Sequence, residues 1–129
     1  QVPVYKTPRG GRYTYHGPGQ RIIYLMLDLD RFDRDIRSFI KNLEEVLIKT
    51  FTNFNIDAYP HRDRIGLWVK NGGQEEKIGA IGLKIKKWIS LHGVAINIDP
   101  DLNYFDGIIP LFYQYNSIQS IQLYYFHFS

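Results

Sequence analysis

Arg9-Gly10-Gly11-Arg12-Tyr13-Thr14-Tyr15-His16-Gly17-Pro18-Gly19-Gln20 is the stretch that decides how this chain is read. Its four glycines give backbone freedom, and Pro18 fixes φ beside two of them, so it reads as a shaped loop whose amides can approach a ligand. The glycines alone would suit a Gly/Pro-rich surface loop. Arg9, Thr14 and His16, set among alternating rings, favour a binding loop. Neither the dinucleotide fingerprint nor the Walker loop is present, because Gly17-Pro18-Gly19-Gln20 has the wrong spacing and lacks the terminal Lys-Ser/Thr.

Working outward, Ile22 to Leu27 is a continuous apolar run of strand length and predicts a strand buried on both faces. Before the loop, Val2, Val4 and Tyr5 alternate around Pro3 as a short extended segment. From Ile36 the period changes. Ile36, Phe39, Ile40, Leu43, Val46, Leu47 and Phe51 recur every three or four residues between charges, which predicts an amphipathic helix capped by Asp33 or Asp35. Asn53 to Asp63 reads as a connection with one short strand. His61-Arg62-Asp63-Arg64 reads as surface, since neighbouring side chains on an extended segment point different ways.

Ile65 to Val69, the turn Asn71-Gly72-Gly73-Gln74 and the return from Lys77 to Ile85 predict a hairpin. Trp88 to Leu91 and Val94 to Ile98 read as a further pair hinged at His92-Gly93, with Gly93 letting backbone approach a ligand closely. Lys84, Lys86 and Lys87 read as a solvated strand face.

Composition narrows the function classes. With 129 residues, 44% of them hydrophobic, the chain holds one core rather than two. A formal charge of +3 suits an acidic partner or an ordinary surface, and there is no Lys/Arg block of the kind that nucleic-acid arms carry. With no cysteine, disulfides and thiolate metal sites are excluded. No apolar run is long enough to cross a bilayer as a helix, and the expectation is a soluble, cytoplasmic, monomeric protein without cofactor, metal, nucleic-acid or membrane partner.

The loop, written R-G-G-x-x-T-Y-H-G-P-G-Q, closely resembles the signature of the octanoyltransferases of lipoate biosynthesis. These enzymes move an octanoyl group from acyl carrier protein onto a lysine of lipoyl domains. The resemblance continues through Lys77-Ile78-Gly79-Ala80-Ile81-Gly82 and Leu91 to Asn97 and ends at Pro110. It implies an α/β fold in which a mixed β-sheet carries packed helices, like the biotin and lipoate protein ligases (class II synthetase-like), here incomplete and cut short at both ends. Residues 1–110 would form the partial catalytic domain and 111–129 a divergent tail.

The resemblance also assigns site residues. Arg9, Gly10, Gly11, Arg12, Tyr13, Thr14, Tyr15 and His16 match the first substrate-binding segment, Ala80, Ile81 and Gly82 the second, and Gly93, Val94 and Ala95 the third. A histidine in such a loop serves as readily as a hydrogen-bonding brace. Lys77 matches the lysine whose ammonium favours the thiolate of the nucleophilic cysteine. That cysteine should follow Pro110, but Leu111-Phe112 stand where the family has Cys-Gly. Leucine offers no lone pair, which implies an impaired or inactive enzyme.

The tail from Leu111 to Ser129 has no charged residue, whereas all 16 Lys and Arg and all 13 Asp and Glu precede it. A reading-frame change after Pro110 would explain both features, and the adjacent frame should then encode Cys-Gly. Two other readings stand beside the transferase: a non-catalytic remnant that binds an acyl chain or partner, and a lipoate ligase relative, disfavoured because nothing resembles an ATP-binding loop.

Overall fold

The computed structural model describes residues 3–9 and 14–105. Five strands form one sheet in the order β1-β5-β4-β3-β2, with β1 Gln20–Tyr24, β2 Tyr59–Pro60, β3 Leu67–Asn71, β4 Gln74–Lys86 and β5 Ile89–Asn97. Among the described residues one α-helix, α1 Ile36–Thr52, lies between β1 and β2 in the chain. The α/β class expected from the sequence is what forms, and every strand pairing among the described residues is antiparallel.

The helix begins where a carboxylate can take up free first-turn amides: Asp35 accepts from the amides of Arg37 and Ser38, which settles the choice between Asp33 and Asp35. Its apolar stripe covers one face of the sheet. Leu47 and Phe51 pack with Leu67, Val69, Ile78, Val94 and Ile96, and Leu43, Ile48, Ile23 and Ile81 close around them. Ile56 and Ala58, in the connection after the helix, complete this core.

The β3–β4 hairpin forms as predicted. Gly72 and Gly73 both take positive φ, the backbone twist that a tight two-residue turn between antiparallel strands requires. Counting outward from that turn, Val69 faces Glu76 and Trp68 faces Lys77, after which a bulge shifts the register so that Leu67 meets Gly79.

Two sequence expectations are corrected. Ile22 to Leu27 is not a strand buried on both faces. β1 lies at the edge of the sheet, and Ile22, Tyr24, Met26 and Leu27 are exposed; only Ile23 and Leu25 turn to the core. Beyond Tyr24 the chain stays beside β5 through Ser90, whose hydroxyl donates to the Leu25 carbonyl (2.8 Å) and accepts from the Leu27 amide (2.9 Å). The second correction concerns His92-Gly93. No hinge divides β5, which runs unbroken beside β4, and the reversal falls instead at Lys87-Trp88, both with positive φ.

Candidate functional site

Strand alternation divides the β4–β5 ladder into two faces. Ile81, Val94 and Ile96 point to the helix side, as their place in the core shows. Ala80 pairs with Ala95 and Gly82 with Gly93, so these small residues belong to the opposite face, which α1 leaves open. On that same face, across the hairpin, Trp68 and Lys77 sit opposite each other.

Lys77 is half-buried, and its surroundings explain how a long cation is accommodated. Its Nζ lies 5.4 Å from the centre of the Trp68 ring. Its Cε occupies the space beside Gly66, where a Cβ would come within 2.7 Å of it. Gly66 also has φ +126, which side-chain-bearing residues rarely adopt, so the lysine's berth depends on glycine twice over. Burial pushes the Lys77 amine below the ordinary lysine range, and the nearby Arg64 charge acts in the same direction.

Arg64 is itself buried, at 7% exposure, contrary to the surface reading of His61 to Arg64. Its guanidinium lies 4.0 Å from the Trp68 ring centre and donates to Glu75 Oε2 at 2.5 Å. Tyr59 donates to the other oxygen of Glu75 at 2.9 Å. These two hydrogen bonds hold Glu75 below the usual carboxylate range. His61 stands 3.9 Å from the same carboxylate and edge-on to Trp68. A charge excluded from water needs such partners, and Arg64 has them.

The glycine loop reaches the open face from the β1 side. His16 Nδ1 lies 3.1 Å from Gln20 Oε1, and Gln20 Nε2 donates to the buried Asn97 Oδ1 at 2.9 Å. Asn97 follows Ile96 at the end of β5, and Lys77 lies near the matching end of β4. His16 is therefore tied, through Gln20, to the end of the face that carries Lys77. The loop is anchored further by Tyr15, which stacks on Tyr104 at 4.8 Å and meets Phe105 edge-on at 5.4 Å.

With this geometry in hand, comparison with known proteins is decisive. A model of the lipoyl protein ligase A/B catalytic domain matches residues 1–122, past Pro110. The chain belongs to that family. It is 52% identical over 111 residues to an octanoyltransferase of Rhodospirillum rubrum, covering 85% of this chain and 51% of that protein. It is 54% identical over 110 residues to an octanoyltransferase of Zymomonas mobilis, again covering 85% and 51%. The match to an octanoyltransferase of Maricaulis maris is 55% over 111 residues, covering 85% and 49%. The chain spans about half the length of the curated relatives it matches.

For this lipoyl protein ligase A/B domain, the structure sorts the residues that the sequence singled out. Lys77, Ala80, Gly82 and Ala95 share the open face, whereas Ile81 and Val94 belong to the core. Gly93 faces protein rather than free space, because a Cβ there would fall 1.9 Å from the Ile23 carbonyl oxygen of β1. Thr14 is exposed, Arg9 is half-buried, and Tyr15 and His16 brace the loop as described. Gly10, Gly11, Arg12, Tyr13, Pro110 and Leu111 lie outside the described residues.

Sequence reasoning overlooked Gly66, Arg64, Trp68 and Glu75. A signal for Trp68 was present, since a two-residue Gly72-Gly73 turn fixes the register and so places Trp68 opposite Lys77. Nothing comparable points to Arg64, whose partners Trp68 and Glu75 come from β3 and β4. No group of three or more His, Cys, Asp or Glu among the described residues could hold a metal ion.

Proposed function

We propose that this chain belongs to the octanoyl-transfer chemistry of lipoate biosynthesis in the cytoplasm, in which octanoyl passes from octanoyl-acyl carrier protein to a lysine of lipoyl domains, and that it holds the octanoyl donor. The observation that carries the reading is the β4–β5 face turned away from α1, where Lys77 stands at one end of a strip of small residues, the half-buried Ala80 and Gly82 and the buried Ala95. An acyl chain can lie on such a strip because no side chain rises above a methyl group, and each methylene it buries is worth about 0.8 kcal/mol. Family membership supports the reading, as do relatives named octanoyltransferase. The net charge of +3 suits an acidic carrier protein.

In this reading Lys77 is the cation that would favour thiolate over thiol in a neighbouring nucleophile. Arg9, Thr14, Tyr15 and His16 belong to the loop that closes the acyl site, and the chain acts as a monomer without a cofactor. Leu111 stands where the thioester-forming cysteine is expected, so the chain binds the acyl donor and forms no acyl-enzyme at that position.

Octanoyl-carrier protein and intact-mass measurement test this. The chain as it stands should bind the carrier and gain no hydroxylamine-labile adduct. Leu111→Cys combined with Phe112→Gly should gain one, and should then pass octanoyl to a lipoyl domain without ATP. Transfer that needs ATP and free octanoate would mark a ligase instead. Binding of carrier with no adduct on the double variant would leave the non-catalytic reading in force.

A further inference from the structure

We infer that the Lys77 amine is itself an acyl acceptor, a site at which medium-chain acyl thioesters modify the chain through a stable amide. The choice of donor rests on the acyl-handling function proposed above; the reactivity of the amine rests on the geometry around it.

Among the described residues no carboxylate lies within ion-pair distance of Lys77. Its Nζ rests against the Trp68 ring, and the carboxylate two residues before it, Glu75, is turned to Arg64 and Tyr59. The charged and titratable groups on this face are Arg64 and His61 from the segment before β3, Lys70 on β3, and Glu75, Lys84 and Lys86 on β4, while Glu44 of α1 accepts from the Gly66 amide beside the lysine stem. Of the two anions, Glu75 is engaged by Arg64 and Glu44 by that backbone amide. A lysine in apolar and cationic surroundings keeps more of its neutral form, which holds the nucleophilic lone pair. The fall in the Lys77 pKa from burial and from Arg64 agrees with this.

Position supplies the second half of the argument. Lys77 is half-buried rather than enclosed, so a reagent can reach it. The strip of Ala80, Gly82 and Ala95 begins beside it, and a thioester whose acyl tail lay along that strip would present its carbonyl near Nζ. Neutral Nζ attacks the carbonyl carbon. The C–N bond forms, the C–S bond breaks, the thiolate leaves with the electron pair, and the proton shed by nitrogen passes to the thiolate. No oxidant or further reactant is needed.

The test uses the full chain with S-octanoyl N-acetylcysteamine at neutral pH, followed by proteolysis and quantitation of each acyl-lysine. S-acetyl N-acetylcysteamine and trinitrobenzenesulfonate serve as donors that do not need an acyl tail. Lys77 should be octanoylated several-fold faster than the exposed Lys86 and Lys87, because burial and the Arg64 charge raise its neutral fraction. The adduct should survive hydroxylamine. Equal rates at Lys77 and Lys86 with all three reagents would overturn the inference.

A Lys77 lead of the same size with every donor would uphold its reactivity while removing the acyl-face reading. A lead greatest with octanoyl upholds both. Arg64→Gln should move the midpoint of the Lys77 pH–rate profile upward and leave that of Lys86 in place, and an unmoved Lys77 midpoint would refute tuning by Arg64. The comparison of lysines within the unaltered chain stands even if that variant does not fold.

Discussion

The two faces of the β4–β5 ladder are made by the same two strands, yet they are built on opposite plans. Towards α1 the residues are Ile81, Val94 and Ile96, and they lock into a core with Leu47 and Phe51. Away from it they are Ala80, Gly82 and Ala95. A buried aliphatic side chain contributes about 1.5–3 kcal/mol, and an alanine methyl much less, so the fold draws its stability from one face. The other carries the half-buried Lys77 and a buried Arg64 paired with a half-buried Glu75, groups that folding alone does not ask for. Where a strand alternates large aliphatic with small residues, the small face is the place to look for a ligand.

The harshest way to break this arrangement is at the seam between the ladder and its edge strand. Gly93→Val would set a side chain against the Ile23 carbonyl, a backbone atom that cannot swing aside, and β1 would have to leave β5. The expected loss of stability is more than about 4 kcal/mol, beyond the range of ordinary substitutions. Urea unfolding measures it, and hydrogen exchange should show the amides of Arg21 to Tyr24 losing protection. A variant with near-normal stability would mean that the Ile23 carbonyl does not close off Gly93 after all.

A milder pair of substitutions sharpens the contrast between faces. Ile96→Ala removes atoms from the helix-side core and should cost about 2–3 kcal/mol through lost burial and the cavity left behind. Ala80→Ser, on the open face of the neighbouring strand, should stay within about 0.5 kcal/mol. Its effect should appear instead as weaker binding of an octanoyl donor. Equal losses of stability from the two would show that both faces are packed.

How much of this was legible beforehand follows from the range of the interactions. Local rules carried the α1 register, a cap at Asp33 or Asp35 and the Gly72-Gly73 hairpin, because periodicity, capping and turn chemistry act within a few residues. The run from Ile22 to Leu27 misled because apolarity reports burial only when a neighbour exists on each side, and an edge position is set by the whole sheet. His92-Gly93 misled because a glycine inside an apolar run suggests a break, while here the space beside it is taken by the Ile23 carbonyl of the neighbouring strand β1.

The candidate site divides in the same way. Lys77 and the small residues could be read from a motif. Arg64 could not, because its burial depends on Glu75 and Trp68 meeting it from separate strands.

The smallest expected effect falls on Lys77 and tests whether the open face holds a group at the expense of stability. The folded chain lowers the Lys77 pKa, while the unfolded chain returns it to about 10.4. Below the folded-state value the unfolded chain therefore binds that proton more tightly, and the ammonium disfavours folding. As pH rises from the folded value towards about 10.4, the penalty is relieved, because stability increases wherever the unfolded state binds more protons.

Lys77→Met keeps an unbranched chain beside Gly66 and the Trp68 ring without the charge. It should be slightly more stable than the parent at neutral pH, because the ammonium that disfavours folding is gone; the gain is small because the amine is only half-buried. That advantage should shrink in alkaline solution. Urea melts at neutral and alkaline pH give the comparison directly. A variant that is less stable by the same amount at both would mean that the lysine serves through its aliphatic stem. A gain that fades with pH would mark Lys77 as a residue retained for chemistry, on the face where the fold invests least in its own packing.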